Sequence, residues 1–417
     1  MGPRRGQGTR IPAFRGPSRR EDDMPALDGM RILDLTQYEA GPSCTQALAW
    51  MGADVVKVEA PGLGDPGRVL AGTTAYFWHW NMNKRSIVLN LRKPEGRQVL
   101  LDLVPKFDIV IENYAPGVMD RMDLGYEQFK AVHPSVIFAS VKGYGSDGPY
   151  SQYLSYDMCA QAAAGTFSMT GAADGPPTLP GVTIGDSGTG MQLGMSILAA
   201  YVQKLRTGEG QHIEISMHEA ITYYMRTHLA NTGNWGRNPV PRNGSQVGAA
   251  PSGLYRCKGG GPNDYAFVLT ITDTHIDKFY MAIDRPDLIT DERFDDFMKR
   301  FERTAELHDE IEKWTLERSK QEVMRLLGEA GVPCAATMDT QELYTDPHLV
   351  ERGFVKTMSH PDEGEVRLFG WAARMSGNQV EMVPPPELGE HTNEVLVSEL
   401  GLDAEALETL RTTEAIG

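Results

Sequence analysis

Short apolar strands that alternate with helices occupy the chain from Gly29 to Tyr144. No hairpin turn signal joins one strand to the next, and strands connected by helices pair in parallel. The pattern therefore predicts an α/β fold with a parallel sheet. The predicted strands are MRILDL at 30–35, DVVKVE at 54–59, SIVLNL at 86–91, DIVIENY at 108–114, SVIFASVKGY at 135–144 and HIEISM at 212–217.

The composition changes at both ends of this α/β region. Six arginines and several helix-breaking residues fill the first twenty positions, so residues 1–23 are expected to be a disordered tail. After residue 225, a stretch rich in Gly, Pro and Asn predicts a linker. A strand at 266–272 and several charged helices then predict a smaller α+β domain, so that linker and domain together fill 226–349. A proline-rich segment and a final helix follow.

The bulk properties argue against several classes of protein. A formal net charge of −16 and a pI near 5.1 disfavour a nucleic-acid-binding surface. No apolar run reaches the ~20 residues of a membrane span. Four cysteines without CxxC spacing predict reduced thiols in a cytoplasmic protein. Scattered histidines without an HExxH motif predict that there is no metal site.

One carboxylate, Asp186, lies among small residues where a helical pattern begins. Gly185 precedes it, and SGTG at 187–190 leads into a helix predicted at 191–206. Aspartate is a favoured N-cap because its carboxylate accepts bonds from free amides of the first turn, and glycines allow close packing. The alternative is that a large ligand must reach this carboxylate. The local sequence leaves both interpretations open.

The first strand and helix are typical of a dinucleotide-binding unit, but the turn between them is not. That turn reads QYEAGPSCTQ and lacks the GxGxxG pattern on which a pyrophosphate would lie, although Glu59 ends the second strand. No GxSxG elbow or P-loop occurs either. We therefore predict Rossmann-like geometry without NAD or FAD.

Longer motifs in a fixed order carry a more specific signal. They are LDGMRILDLTQYEAGPSCTQALAWMGADVVKVEAPGLGDPGR, NMNKRSIVLNL, IENYAPGVMDRMDLGY, ASVKGYG, TGAADGPPTLPGVTIGDSGTGMQ and LGEHTNEVLVSELGL. With these motifs the chain resembles, from Leu27 to its C-terminus, the class III coenzyme A transferases of the CaiB/BaiF type, and above all their formyl-CoA transferase branch. The resemblance implies a Rossmann-like large domain built from 24–225 and 350–417, and an interlocked homodimer.

The resemblance assigns the role of nucleophile to Asp186, the acid of the GDSxxG segment. A carboxylate that attacks a thioester must come within about 3–3.5 Å of the carbonyl carbon, and the flanking glycines would keep that approach clear. The implied intermediates are an aspartyl anhydride and a CoA thioester, with acyl-CoA as substrate and no permanently bound cofactor. An ordinary aspartate, with a pKa of about 3.9, is ionised at neutral pH. We therefore expect the site to supply positioning, partial desolvation and amide donors for the oxyanion.

The resemblance also implies a CoA-binding site. Ala40 would line the thioester end, and Arg92 would supply charge near the nucleotide, since a planar guanidinium donates two parallel bonds to phosphate. Without the ordered motifs, each of the residues named below would be interpreted as a surface charge or a strand-end residue. The implied set is Ala40, Leu89 and Arg92, then Asn113, Tyr114 and Arg121 around the adenine and phosphate, and finally Tyr156 and Asp157.

Two departures from the formyl-CoA transferase pattern concern the acceptor acid. Glu39 is a candidate catalytic residue that stands where this branch has a substrate-binding glutamine. The loop 243–253, NGSQVGAAPSG, has fewer glycines than the run of four that closes over the active site in that branch. A donor of the formyl-CoA or succinyl-CoA type is expected. The acceptor, a carboxylic or dicarboxylic acid, stays open.

Two other functions stay open as alternatives. The same superfamily contains 2-methylacyl-CoA racemases, in which a His-Asp dipeptide supplies part of the acid/base pair. Here the equivalent stretch LSYDMCAQA has Tyr156 before Asp157, and tyrosine is a poor base near neutral pH. The third possibility is a CoA-binding scaffold without activity, against which the intact GDSxxG segment counts.

Overall fold

A six-stranded parallel sheet lies at the centre of the protein, as the sequence predicts. The computed structural model describes residues 24–231, 235–242, 244 and 248–417, so the predicted tail and part of the loop 243–253 lie outside the described residues. The order of the strands is β3-β2-β1-β4-β5-β6, and all neighbouring pairs are parallel. The strands are β1 (Arg31–Asp34), β2 (Asp54–Glu59), β3 (Arg85–Val88), β4 (Ile109–Glu112), β5 (Ile137–Lys142) and β6 (Gln211–Ser216).

Both faces of this sheet are covered, which explains why its strands read as continuous apolar runs. Ile32 and Ile109 belong to the core cluster on one face, whereas Leu33 and Val110 belong to the cluster on the other. Successive side chains of a strand point to opposite faces, so neighbouring residues enter different cores. All four are fully buried. A strand buried on two faces therefore needs apolar residues at nearly every position.

Nine helices in the described first part of the chain connect and cover the strands. They are α1 (Ala40–Ala49), α2 (Ala75–Asn81), α3 (Pro94–Leu103), α4 (Val118–Arg121), α5 (Tyr126–Val132), α6 (Asp157–Ala163), α7 (Ser187–Thr207), α8 (Met217–Tyr224) and α9 (Arg226–Asn231). The long helix α7 packs against α1. It begins directly after Asp186, four residues before the predicted start at 191.

A smaller antiparallel sheet has a core of its own. Its strand order is β7-β8-β9, and its core cluster includes Tyr255, Phe279 and Leu327. The strand predicted at 266–272 is shorter, because β8 ends at Val268. The elements are β7 (Gly253–Arg256), β8 (Tyr265–Val268), α10 (Asp273–Ala282), α11 (Phe297–Glu302), α12 (Thr304–Thr315), α13 (Lys320–Glu329) and β9 (Cys334–Ala336).

The C-terminal part returns to the large sheet. Two helices, and not the single predicted one, end the chain, and Leu396, Leu407 and Ile416 pack in the same core cluster as Leu33. The domain boundaries after 225 and 349 stay predictions. Within the described ranges, no helix is long and apolar enough to cross a membrane. The elements are α14 (Pro347–Glu351), β10 (Val355–His360), β11 (Gly364–Phe369), α15 (Thr392–Leu400) and α16 (Ala404–Thr412).

Candidate active site

The candidate site lies where the strand order of the sheet reverses, between β1 and β4. The chain leaves these two neighbouring strands in opposite directions, and open α/β sheets bind ligands in the crevice that this leaves. The Asn113 side chain bridges the two loops. Its amide nitrogen donates to the Gln37 carbonyl oxygen and its amide oxygen accepts from the Gln37 N–H, both at 2.8 Å. Asn113 therefore fixes the width of the crevice.

Buried ion pairs hold the loop that follows β1. The Lys57 ammonium lies 2.8 Å from one Asp65 carboxylate oxygen and donates to the Thr36 carbonyl oxygen at 2.7 Å. The other Asp65 oxygen accepts the Tyr38 N–H at 3.1 Å. Tyr38 has a φ of 62°, which a bulky residue adopts only where its surroundings impose it. The loop thus holds Tyr38 and the adjacent Glu39 in one arrangement.

Asp186 occupies the N-cap position of α7, but its carboxylate makes no capping hydrogen bond. The Ser187 and Gly188 amides donate instead to the carbonyl oxygens of Thr183 and Ile184, at 3.0 and 3.1 Å. The capping interpretation is therefore wrong, and these two amides are not free to stabilise an oxyanion. Within the part of the chain that the structure describes, no side chain or amide hydrogen-bonds to the Asp186 carboxylate, which leaves its lone pairs available.

Asp157 fixes the backbone of Asp186. One of its carboxylate oxygens accepts the Asp186 N–H at 2.9 Å, and the other accepts the side-chain amide of Gln161 at 2.6 Å. Asp157 is 6% exposed. Because both oxygens are used inside the protein, the structure gives Asp157 a positioning role in place of the predicted contact with CoA.

The glycines around Asp186 allow close packing. A Cβ at Gly190 would lie 2.1 Å from the Ser43 hydroxyl oxygen and 2.6 Å from the Ala40 carbonyl oxygen, so only glycine lets α7 approach α1 here. A Cβ at Gly185 would lie 2.8 Å from an Asp157 carboxylate oxygen. The prediction that these glycines clear a path for the substrate is wrong. They seat Asp186 at the start of α1 and beside Asp157.

Two buried carboxyl groups, Glu39 and Asp157, and the half-buried Asp186 make the site strongly acidic. Burial, followed by the negative charges of Glu39 and Asp157, raises the pKa of Asp186 to about 7. Glu39 is 3% exposed and accepts hydrogen bonds from the Thr183 hydroxyl at 2.6 Å and the Tyr76 hydroxyl at 3.3 Å. Burial nevertheless raises the pKa of Glu39 to about 7, and the charge of Asp157 adds to the effect. The expectation of an ordinary, fully ionised Asp186 is therefore wrong near neutral pH.

These shifts predict a pH-dependent effect of Asp186→Asn on stability. A carboxyl whose pKa rises on folding stabilises the protein fully only below its unfolded pKa, about 4, and this stabilisation is lost as the pH passes its folded value, about 7. Asparagine cannot ionise, so the variant should be more stable at pH 8. Its free energy of unfolding should exceed that of the wild type by on the order of 2–4 kcal/mol. We expect the gain to vanish at pH 4.5. Urea denaturation at both pH values measures it, with the exposed Asp174→Asn as control. An equal effect at both pH values would contradict the prediction.

Two adjacent cavities, which share three lining residues, extend the site into a cleft. The first, of about 370 Å³, is lined by five of the predicted residues, and the second, of about 360 Å³, by Leu89, Arg92 and Tyr114. Gln37, Tyr114 and Val118 line both. The cleft therefore leads from Asp186 to Arg92 along the carboxyl ends of the strands. The five residues of the first cavity are Ala40, Asn113, Tyr114, Tyr156 and Asp186.

Three predicted residues have a different setting from the one expected. Glu39 lies beside Asp186 but lines neither cavity, since its carboxylate faces Thr183 and Tyr76. Arg121 is exposed at the end of α4 and lines neither cavity. Leu89 is 1% exposed and packs in a core cluster, so little of its side chain faces the second cavity.

Several residues of the cleft were not predicted. Tyr38 and Gln37 lie next to Glu39 in the turn after β1, and a turn at the switch point of an open sheet is a signal that could have found them. Tyr76 and Thr183 carry no such signal, because each reaches Glu39 only through the fold. Lys142, which lines the first cavity, is paired with Glu112 at 2.9 Å.

Comparison with known proteins places most of the chain in one group. The model of CoA-transferase family III matches residues 27–392. A formyl-CoA:oxalate CoA-transferase of Streptomyces coelicolor is 37% identical over 412 residues, which cover 94% of this chain and 99% of the relative. A protein of the same name from Escherichia coli O157:H7 is 35% identical over 415 residues, with coverage of 94% and 99%.

A solved structure shows the same architecture. The crystal structure of a CAIB/BAIF family protein from Brucella suis has a TM-score of 0.79 and 29% sequence identity, and the match covers 90% of this chain and 100% of that one. The range matched by the family model contains every residue of the cleft described above. Sequence and fold therefore point to the same group of proteins.

Proposed function

The chain belongs to CoA-transferase family III, and from this premise we propose that it moves coenzyme A from an acyl-CoA donor to a carboxylic acid through covalent intermediates on Asp186. The observation that carries the proposal is a half-buried carboxylate without hydrogen bonds from described residues, at the inner end of a cleft. A nucleophile needs free lone pairs and a fixed position, and Asp157 supplies the latter through the backbone.

The reaction follows from the chemistry of a carboxylate and a thioester. An Asp186 carboxylate oxygen attacks the thioester carbonyl carbon, the C–S bond breaks, and an acyl-aspartyl anhydride and CoA thiolate result. The thiolate then attacks the Asp186 carbonyl of the anhydride and releases the donor acid, which leaves CoA as a thioester of Asp186. The acceptor carboxylate attacks this thioester, forms a second anhydride and frees the thiolate again. Attack of the thiolate on the acceptor's carbonyl yields the new acyl-CoA and restores the Asp186 carboxylate.

The cleft suits a long, anionic donor. In the proposed arrangement the thioester lies near Ala40 and Asp186 in the first cavity, and the nucleotide end lies near Arg92 in the second. Tyr114 lines both cavities and would contact the chain between them. Arg92 and Arg121 have no ion pair with any described residue, so their guanidinium groups are available to phosphate. The donor is proposed to be of the formyl-CoA or succinyl-CoA type.

The test is a search for exchange of CoA between acids. The protein is incubated with formyl-CoA or succinyl-CoA and a panel of free acids, and the thioesters are identified by mass spectrometry. A transferase yields the thioester of an added acid. A parallel incubation with a 2-methylacyl-CoA in D2O tests for a racemase, which removes and returns the proton at C2 and so incorporates deuterium into the thioester, whereas a scaffold changes nothing. Asp157, whose carboxylate is used by Asp186 and Gln161, is a poor candidate for the racemase base.

We further propose that the protein is a homodimer. The outer face of α7 exposes apolar side chains, with Met195 67%, Val202 43% and Leu205 64% exposed, and a row of this kind on one helix is typical of an interface. Light scattering at micromolar concentration should give twice the 46.0 kDa of one chain.

A charged pair tests whether this face is the interface. Met195→Glu with Val202→Glu should shift the mass towards one chain, whereas Met281→Glu, at an exposed methionine of α10, should not. A wild-type protein that runs as a monomer would refute the proposed dimer. A charged variant that stays dimeric would place the interface elsewhere.

A further inference from the structure

A third cavity, of about 530 Å³, lies away from the cleft, at the opposite end of α1. Trp50 follows the last residue of α1 and forms part of its wall, about 15 Å along the helix from Glu39 at the first turn. The rest of the wall comes from α14, from the segment that joins it to β10, from the start of β10 and from the chain after β11. The volume is in the range of sites that hold small organic molecules.

The rim of this cavity is positive in a protein of net charge −16. Three basic residues, Arg352, Lys356 and Arg374, line it, and no acidic residue does. In the described part of the chain, none of the three has a carboxylate partner. The Arg374 guanidinium donates to the Arg352 carbonyl oxygen, which keeps the two arginines on the same side. Unpaired cations that converge on a cavity attract an anion.

The inner wall of the cavity is aromatic. The rings of Trp50 and Trp371 have centroids 6.2 Å apart at an angle of 51°, and Phe354 also lines the cavity. Trp50 donates its indole N–H to the Asn83 side-chain oxygen at 3.1 Å. Aromatic rings pack against other planar rings in offset or edge-to-face arrangements, so this wall favours a planar ring on a ligand.

We propose that this cavity binds a small organic anion built on a planar ring. The ring lies against Trp50 and Trp371, and the anionic group meets Arg352, Lys356 and Arg374. A carboxylate and a phosphate share the chemistry that the arginines recognise. The site is independent of the proposed transfer reaction, because none of its residues lines the cleft at Asp186.

Calorimetric titration of the full chain with three naphthalene compounds tests the proposal. We expect 2-naphthoate or 2-naphthyl phosphate to bind at one site, the tighter of the two identifying the preferred anion. Neutral 2-naphthylmethanol should bind at least tenfold more weakly. Arg352→Gln combined with Arg374→Gln should raise the Kd of the anion at least tenfold. Arg325→Gln, a matched change on the exposed face of α13, should leave the Kd unchanged.

A second variant separates the cavity from the active site. Trp371→Phe replaces the indole with a smaller phenyl ring and so reduces the aromatic surface of the cavity wall. It should weaken binding of the anion several-fold, while thermal unfolding and CoA transfer stay as in the wild type. The proposal is overturned if the alcohol binds as tightly as the anions, or if the double arginine variant binds like the wild type. It is also overturned if neither anion binds at millimolar concentration, or if Asp186→Asn alone abolishes binding.

Discussion

Replacing Asp186 with asparagine should lower the rate of CoA transfer by at least about a thousandfold, because the amide cannot form the acyl anhydride. The fold should survive. The carboxylate caps nothing, and the bond to Asp157 comes from the backbone N–H, which asparagine keeps. The measurement is kcat/KM for the donor thioester at pH 8, with circular dichroism to confirm the fold. Asp174→Asn, at an exposed position, should retain the wild-type rate.

Chemical trapping tests the same residue without a mutation. Hydroxylamine added during turnover should convert the activated Asp186 carbonyl into a hydroxamate, which peptide mass spectrometry would locate. The trap should need the acyl-CoA, because the free carboxylate does not react. Normal turnover by Asp186→Asn, or a hydroxamate on another carboxylate, would overturn the assignment.

The parallel sheet could be predicted because its strands are buried on both faces. An apolar run such as DVVKVE satisfies two cores at once, and the structure places β2 at the predicted 54–59. The start of α7 and the second C-terminal helix were harder to predict. The start of α7 contains Ser187, Gly188 and Gly190, which weaken a helical pattern. Packing against α1 stabilises this turn, and that contact cannot be read from the local sequence.

The identity of the candidate nucleophile could be predicted, but its environment could not. The GDSxxG segment marks Asp186 through the resemblance alone. The raised pKa of Asp186 depends on Glu39, which is 147 positions away in the chain, and on burial between α1 and α6. The role of Asp157 likewise depends on the Asp186 amide coming within 2.9 Å. Such long-range juxtapositions arise from the topology of the sheet and leave no periodic signal.

The glycines show how one sequence pattern serves two explanations. Small residues around an acid fit both an open approach and close packing, and the sequence does not choose between them. The distances in the structure favour close packing, because a Cβ at Gly190 would overlap with α1. The approach to Asp186 therefore comes through the first cavity, whose wall includes Tyr38 and Tyr156.

The acceptor acid should be set largely by Glu39. Lys142 is the one basic residue that lines the cavity at Asp186 in the described part of the chain, and its charge is paired with Glu112. A dicarboxylate would bring its second charge next to ionised Glu39 without a free cation to balance it. At about 5 Å and an effective dielectric of 20, Coulomb's law gives roughly 3 kcal/mol of repulsion, or about a hundredfold in rate. We therefore expect oxalate to be a poor acceptor for this protein.

Glu39→Gln should raise the kcat/KM for oxalate as acceptor about a hundredfold at pH 8. Glutamine removes the charge, its amide oxygen can still accept from the Thr183 hydroxyl, and its NH2 group can donate to the Tyr76 hydroxyl oxygen, so the loop should keep its place. The measurement is kcat/KM for oxalate and for succinate with a fixed donor. The kcat/KM for succinate should rise less, because its second carboxylate can lie farther from Glu39.

Glu209→Gln, at an exposed position, is the control. If oxalate is already the best acceptor of the wild type and Glu39→Gln gains nothing, this account of specificity is wrong.

The pH profile separates charge repulsion from a change of shape. Asp186 must be ionised to attack, whereas oxalate is repelled least when Glu39 carries a proton, and both pKa values are raised to about 7. The wild type should therefore use oxalate best in a narrow range near pH 7 and lose rate on both sides. In Glu39→Gln the repulsion is absent at every pH, and the charge that contributes most to the raised pKa of Asp186 is gone. The oxalate rate of the variant should thus rise at a lower pH than in the wild type and then stay level to pH 9. A variant that keeps the falling limb above pH 7 would show that Glu39 is not the group that repels the acceptor.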